Sequence, residues 1–131
     1  MFSIQGFNTY WENGKCHVRG STQSQSFVVP GLANYIGIEP ENVVYVAEYC
    51  GGGFGSKGSA YPTMAIPAHM SRKTGRPVLM RISRAEEYFL GSARPGFQGR
   101  IKMGFREDGR ISAVDLYIVQ ESGSNGGGGD M

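Results

Sequence analysis

Only two cysteines, Cys16 and Cys50, and two histidines, His17 and His69, occur in the 131 residues. The cysteines form no C-x-x-C pair. Neither histidine stands at metal-ligand spacing from a cysteine or a carboxylate, which excludes the zinc-finger and dithiol redox patterns. Two free thiols in a reducing compartment are therefore expected. Charge is sparse and balanced: 13 Lys and Arg against 11 Asp and Glu leave +2, with no basic stripe, and this argues against a nucleic-acid partner. No apolar run approaches the roughly 18 residues of a membrane-spanning helix. Nothing at the start of the sequence reads as a signal peptide, so a cytoplasmic location is expected. Internal repeats are missing as well. With 40% hydrophobic and 18% charged residues, the composition is that of one globular domain with a modest core.

Glycine, by contrast, is abundant. Of 21 glycines, five fall within residues 51–58, Gly-Gly-Gly-Phe-Gly-Ser-Lys-Gly, where Phe54 is the one large side chain. The stretch lies between a strand-like segment, residues 42–49, and a helix-like one, residues 61–75. Such a loop can turn main-chain N–H groups toward an anion or cofactor, because glycine lets a ligand approach the backbone closely. A plain chain reversal would use the same residues. The Walker A pattern fails, since Ser56 precedes Lys57 and Gly58 follows it. Gly53, Gly55 and Gly58 do satisfy G-x-G-x-x-G, so a small noncatalytic βαβ-type nucleotide-binding module is the alternative reading. Pro62 and Pro67 weigh against it by disturbing the helix that should follow.

The other elements can be taken in order. Asn13-Gly14, flanked by residues 10–18, predicts a β-hairpin. Thr22 and Gln25 have capping-box spacing, and Val28, Val29, Leu32, Ala33 and Ile36 recur at helical period. A helix is expected there, kinked or split at Pro30-Gly31 and closed by Gly37. Residues 42–49 are β-branched and aromatic and read as a well-covered interior strand. Met64, Ala65, Ala68, His69 and Met70 mark a second helix ending at Gly75, with Pro67 awkward inside it. Residues 77–82 give another strand, and Ser83 with Glu86 a second capping box. Residues 100–106 and 111–120 form a half-exposed hairpin about Asp108-Gly109. A flexible glycine-rich tail is expected over residues 121–131. The fold class is α+β: a mixed sheet, two or three short helices and a hairpin-rich last third, all in a single partial domain spanning residues 1–131.

Three features occur in order: Ser21-Thr22-Gln23 at a strand end, Gly51-Gly52-Gly53-Phe54-Gly55 after the next strand, and Gly75-Arg76-Pro77-Val78 entering a third. Arg94-Pro95 and Gly104…Asp108-Gly109-Arg110-Ile111 follow. The set resembles the molybdenum hydroxylases, the xanthine dehydrogenase and aldehyde oxidoreductase family, in the first half of their large cofactor-binding subunit. That resemblance implies a molybdenum ion held by the dithiolene of molybdopterin, with Gln23 hydrogen-bonding an oxo ligand of the metal. It sets Gly52, Gly53, Phe54 and Gly55 against the metal ligands and the pterin. Gln23 and Phe54 would lie beside the molybdenum without ligating it, since its protein-independent bonds come from the pterin. Iron–sulfur and FAD centres are implied on other domains or subunits.

Two departures from the family matter. Gly58 stands where purine hydroxylases carry a substrate-orienting glutamate, which argues against a purine-specific pocket. The family's general-base glutamate lies far beyond the region matched here, and Glu86 and Glu87 are in the wrong context to replace it. No catalytic residue is thus expected in this chain, which reads as a fragment of an enzyme that needs the remainder of its subunit. The resemblance leaves an aldehyde or an aromatic heterocycle as the parent substrate. Lys57 is expected to matter less than Gly53 and Gly55, because backbone N–H groups are the donors in this reading.

Overall fold

In the computed structural model, residues 6–90 and 94–121 are described. The chain divides into two compact units, residues 1–92 and 93–131.

The first unit is built on a hairpin. Strands β1 (Gly6–Glu12) and β2 (Lys15–Gly20) pair antiparallel, with Glu12 opposite Lys15 and the turn at Asn13-Gly14. Both turn residues have positive φ, 51° and 78°, the geometry for which this dipeptide is suited. Helix α1 (Gln25–Ile36) then carries the chain to β3 (Val43–Val46), which runs parallel to β2. Helix α2 (Pro62–Thr74) leads to β4 (Val78–Arg81), antiparallel to β1, and helix α3 (Arg84–Leu90) follows. The four-stranded sheet therefore has the order β3-β2-β1-β4.

One face of this sheet is covered. Phe7 and Thr9 of β1, with Cys16 and Val18 of β2, are buried at alternate positions. Val28, Leu32, Ala33 and Ile36 of α1 and Met64, Ala65 and Ala68 of α2 complete the core with them. Phe7, Leu32 and Met64 are fully buried, each contributing roughly 1.5–3 kcal/mol of apolar burial. On the opposite face Tyr10 and His17, paired across the hairpin, stack with ring centroids 4.7 Å apart.

The mixed sheet, three short helices and terminal hairpin are those of the expected α+β class. Several local expectations are corrected. The first helix is a single element, with Pro30 inside it and Gly37 closing it at φ 74°. Thr22 does not cap it; Ser24 occupies the N-cap position and its side chain makes no capping bond. Residues 42–49 shorten to a four-residue strand at the sheet edge instead of an interior one. Their two apolar faces reflect partial cover by α1 on one side, with only Val43 fully buried. Residues 6–9, unremarkable in sequence, complete β1. The second capping box forms as expected: Ser83 N–H donates to Glu86 Oε2 at 2.8 Å, and Glu86 N–H to Ser83 Oγ at 3.3 Å.

The second unit is a two-stranded antiparallel ladder of β5 (Phe97–Phe105) and β6 (Ile111–Gln120), irregular at Gly104/Phe105. Gly109, at φ 84°, closes its turn. The alternation read from sequence is present, but the hairpin is exposed on both faces, not half-covered. Of the glycine-rich tail, residues 122–131 lie outside the described residues.

Candidate functional site

Four hydrogen bonds frame Thr22-Gln23, Cys50 and the loop of residues 51–58. Gln23 N–H donates to the Lys57 carbonyl at 3.1 Å. Thr22 Oγ1 donates to the same carbonyl at 2.9 Å. Cys50 Sγ donates to the Thr22 carbonyl, also at 2.9 Å. Lys57 Nζ donates to the Cys50 carbonyl at 2.7 Å. Thr22 fails as a helix cap for this reason. Its hydroxyl is committed to Lys57, and it accepts from Ser24 N–H at 3.1 Å.

Within this frame the loop folds tightly. Ser56 N–H reaches the Gly53 carbonyl at 2.9 Å and Gly58 N–H the Gly55 carbonyl at 3.3 Å. Phe54 takes φ 48°, unusual for an aromatic residue and costing about 1–3 kcal/mol. Its ring lies over Gly52, where a Cβ would collide with it. Gly55, at φ 85°, needs the left-handed region. The demand at Gly53 is one of space and not of φ: a Cβ there would strike the side-chain oxygen of Gln23.

All five residues singled out from sequence, Gln23, Gly52, Gly53, Phe54 and Gly55, thus gather in one place. Gly55 N–H donates to Gln23 Oε1 at 3.0 Å, so the amide oxygen is used and its orientation fixed. Among the described residues, nothing accepts from Gln23 Nε2, nor from the N–H groups of Gly52 and Gly53. Gln23 is exposed, and Phe54 stands half-exposed beside it. The result is a set of neutral donors around a backbone that carries no side chain at Gly52, Gly53 and Gly55. That chemistry fits an electron-rich oxo group or the acceptor edge of a pterin.

Lys57, Thr22 and Cys50 are the residues that sequence reasoning missed. Lys57, expected from sequence to matter less than Gly53 and Gly55, is 3% exposed. A buried ammonium is costly unless hydrogen-bonded, and here the Cys50 carbonyl meets it. No spacing rule distinguishes such a lysine from one that points at solvent. Nearby, burial and then the Cys50 thiol push the Tyr45 hydroxyl up to about 12. Among the described residues, no group of three or more His, Cys, Asp or Glu side chains is placed to hold a metal ion. No helix among them is long and apolar enough to cross a membrane.

The dinucleotide reading of Gly53, Gly55 and Gly58 finds no support. Helix α2 starts only at Pro62, with Tyr61 at its N-cap, so the loop does not open directly into a helix N-terminus.

Similar proteins point one way. Aldehyde oxidase 4 of Arabidopsis thaliana is 31% identical over 109 residues, which is 82% of this chain and 8% of that protein. Xanthine dehydrogenase/oxidase of Felis catus is 34% identical over 108 residues, 81% of this chain and 8% of that one. The crystal structure of quinoline 2-oxidoreductase from Pseudomonas putida 86 superposes with a TM-score of 0.68 at 25% identity, over 86% of this chain and 14% of that one. The chain therefore spans only about a tenth of the length of these relatives. The family profile of the molybdopterin cofactor-binding domain matches residues 3–130, and the chain belongs to that family, among the molybdenum hydroxylases.

Proposed function

We propose that this chain supplies one wall of a molybdopterin–molybdenum centre, with Gln23 and the loop residues Gly52, Gly53, Phe54 and Gly55 forming that wall. The observation that carries the reading is the Gly55 N–H to Gln23 Oε1 bond, which leaves Nε2 as a donor beside the side-chain-free backbone of Gly53 and Gly55. Gln23 Nε2 would donate to an oxo group of the bound metal, and the Gly52 and Gly53 N–H groups to the pterin or metal ligands. When bound, the cofactor supplies hydroxylation of an electrophilic carbon, its electrons leaving through other centres. The chain's own part is to hold and orient that cofactor with neutral donors, which stabilise changing charge without adding charge themselves.

The parent activity is that of an oxidoreductase acting on an aldehyde or an aromatic heterocycle. Gly58 leaves the position after Lys57 without a carboxylate for a purine. The partners are the remainder of a molybdopterin subunit and iron–sulfur and flavin domains or subunits, in the cytoplasm. Metal analysis and pterin fluorescence on the protein co-expressed with its genomic neighbours test this. Molybdenum with released pterin is the expected result; bound nucleotide without metal would overturn it.

A further inference from the structure

Three of the four bonds that frame Thr22-Gln23, Cys50 and the glycine loop involve Lys57. Lys57 accepts two of them at its carbonyl, from Gln23 N–H and Thr22 Oγ1, and donates a third from Nζ to Cys50. Cys50 closes the ring by donating to Thr22. The loop from Cys50 to Lys57 is thereby drawn shut at its base, with Gly53, Phe54 and Gly55 between the two ends. Lys57 is almost wholly buried, and among the described residues no carboxylate pairs with it. Its ammonium is thus neither a solvated surface charge nor half of an ion pair.

We propose that Lys57 is a positioning residue for the cofactor site: its buried ammonium clamps the loop base and thereby sets the Gln23 amide in register with Gly53 and Gly55. The register is tight. A Cβ at Gly53 would already collide with the Gln23 side chain, so a small opening of the loop base separates Gly55 N–H from Gln23 Oε1. With that bond lost, the Gln23 amide rotates freely and Nε2 no longer has a fixed direction. This role rests on the reading of Gln23 and the loop as the cofactor wall. It assigns to Lys57 no direct contact with the cofactor.

Amide hydrogen exchange by NMR on the full 131-residue chain tests the clamp without any cofactor. Lys57→Met keeps the aliphatic stem and removes the charged donor. The Gln23 and Gly55 amides are expected to exchange about tenfold faster, as for loss of one hydrogen bond to a charged group, while those of Cys16 and Val18 stay unchanged. Lys57→Arg keeps a cationic donor and is expected to recover most of the protection. Unchanged loop exchange in Lys57→Met, or equal acceleration in the sheet, would overturn the proposal. Should Lys57→Met fail to fold, Thr22→Val asks the same question by removing the hydroxyl donor to the Lys57 carbonyl at constant shape, with the same expected local loss. In the assembled protein, pterin released on denaturation should fall about tenfold in Lys57→Met and return in Lys57→Arg. Undiminished pterin in Lys57→Met would also overturn it. If the clamp behaves as expected in the free chain but the assembled wild type holds no pterin, the cofactor reading fails and not the clamp.

Discussion

The main-chain N–H of Gly55 donates to Gln23 Oε1 at 3.0 Å, a bond between residues 32 apart in sequence. It decides which end of the Gln23 amide is free, and so which chemistry the site offers. A glutamate at this position can keep the bond to Gly55 but turns the remaining donor into an anion.

Gln23→Glu should therefore leave the loop folded and empty the site. An oxo-bearing, anionic cofactor meets a carboxylate where a donor stood, and the loss of a charge-assisted bond plus like-charge repulsion is worth at least about tenfold in affinity. Molybdenum and pterin content of the assembled protein check it, with the Gly55 amide shift in the free chain reporting the loop. Full cofactor content in Gln23→Glu would show that Nε2 is not a donor to it.

Gly53→Ala and Gly55→Val should fail for different reasons. The added Cβ at residue 53 displaces the Gln23 side chain, whereas valine at residue 55 must hold φ near 85°, a strain of about 1–3 kcal/mol. Both variants should lose molybdenum. Only Gly55→Val should also lower the melting temperature noticeably, since exposed Gln23 can move aside at little cost to the fold.

The sequence made the hairpin at Asn13-Gly14, the Gly37 and Gly75 helix ends and the Ser83–Glu86 capping box legible, because each depends on residues a few positions apart. The ordered set of motifs also singled out five residues, Gln23, Gly52, Gly53, Phe54 and Gly55, that the fold gathers in one place. What the sequence could not show were effects settled by distant partners. Thr22 has the composition of a cap, but a carbonyl 35 residues away takes its hydroxyl. Residues 42–49 look buried on both faces, yet the strand pairing leaves them at an edge. Lys57 looks like a loop cation, and only the closing of the loop on Thr22-Gln23 buries it.

Stability should fall at high pH from the buried thiol inward. Burial, opposed by the Arg72 charge, raises the Cys16 thiol from 9.0 to about 11. A group whose folded value lies above its unfolded one favours folding fully below the unfolded value. That contribution is lost as pH rises from about 9 to about 11, here amounting to about 3 kcal/mol. Urea midpoints measured from about pH 8 upward should decline through this window in the wild type. In Cys16→Ala the decline should begin about one unit later, where Tyr45, raised from 10.0 to about 12 by folding, starts to ionise in the unfolded chain. An unchanged onset in Cys16→Ala would remove Cys16 from the account.

The isolated chain should hold no molybdenum and show no hydroxylase activity. It spans about a tenth of its relatives, and a wall of neutral donors from one short segment offers few contacts to a large anionic cofactor. About one molybdenum per chain after gel filtration would contradict this, because it would mean that Gln23 and the loop alone make a sufficient site.

The free chain should also self-associate through its terminal hairpin. The register of β5 and β6 sets Ile101 opposite Leu116, Met103 opposite Val114 and Gly99 opposite Ile118, so these side chains share one face with Phe97 and Phe105. Ile101 and Leu116 are each 57% exposed and Phe105 61%, where a sheet of this composition ordinarily buries one face. A two-stranded ladder is marginally stable by itself, and a contiguous apolar patch of this kind is covered in a settled protein. Within the long subunits of its relatives such cover can come from the same polypeptide; in the free chain another copy can supply it. Leu116→Lys and Ile101→Lys place charge in the middle of that face without touching the ladder's hydrogen bonds. Sedimentation velocity should show concentration-dependent association of the wild type, reduced in either variant and abolished in the pair. A wild-type monomer across the micromolar range, or association unaffected by both lysines, would show that this face is not what drives it.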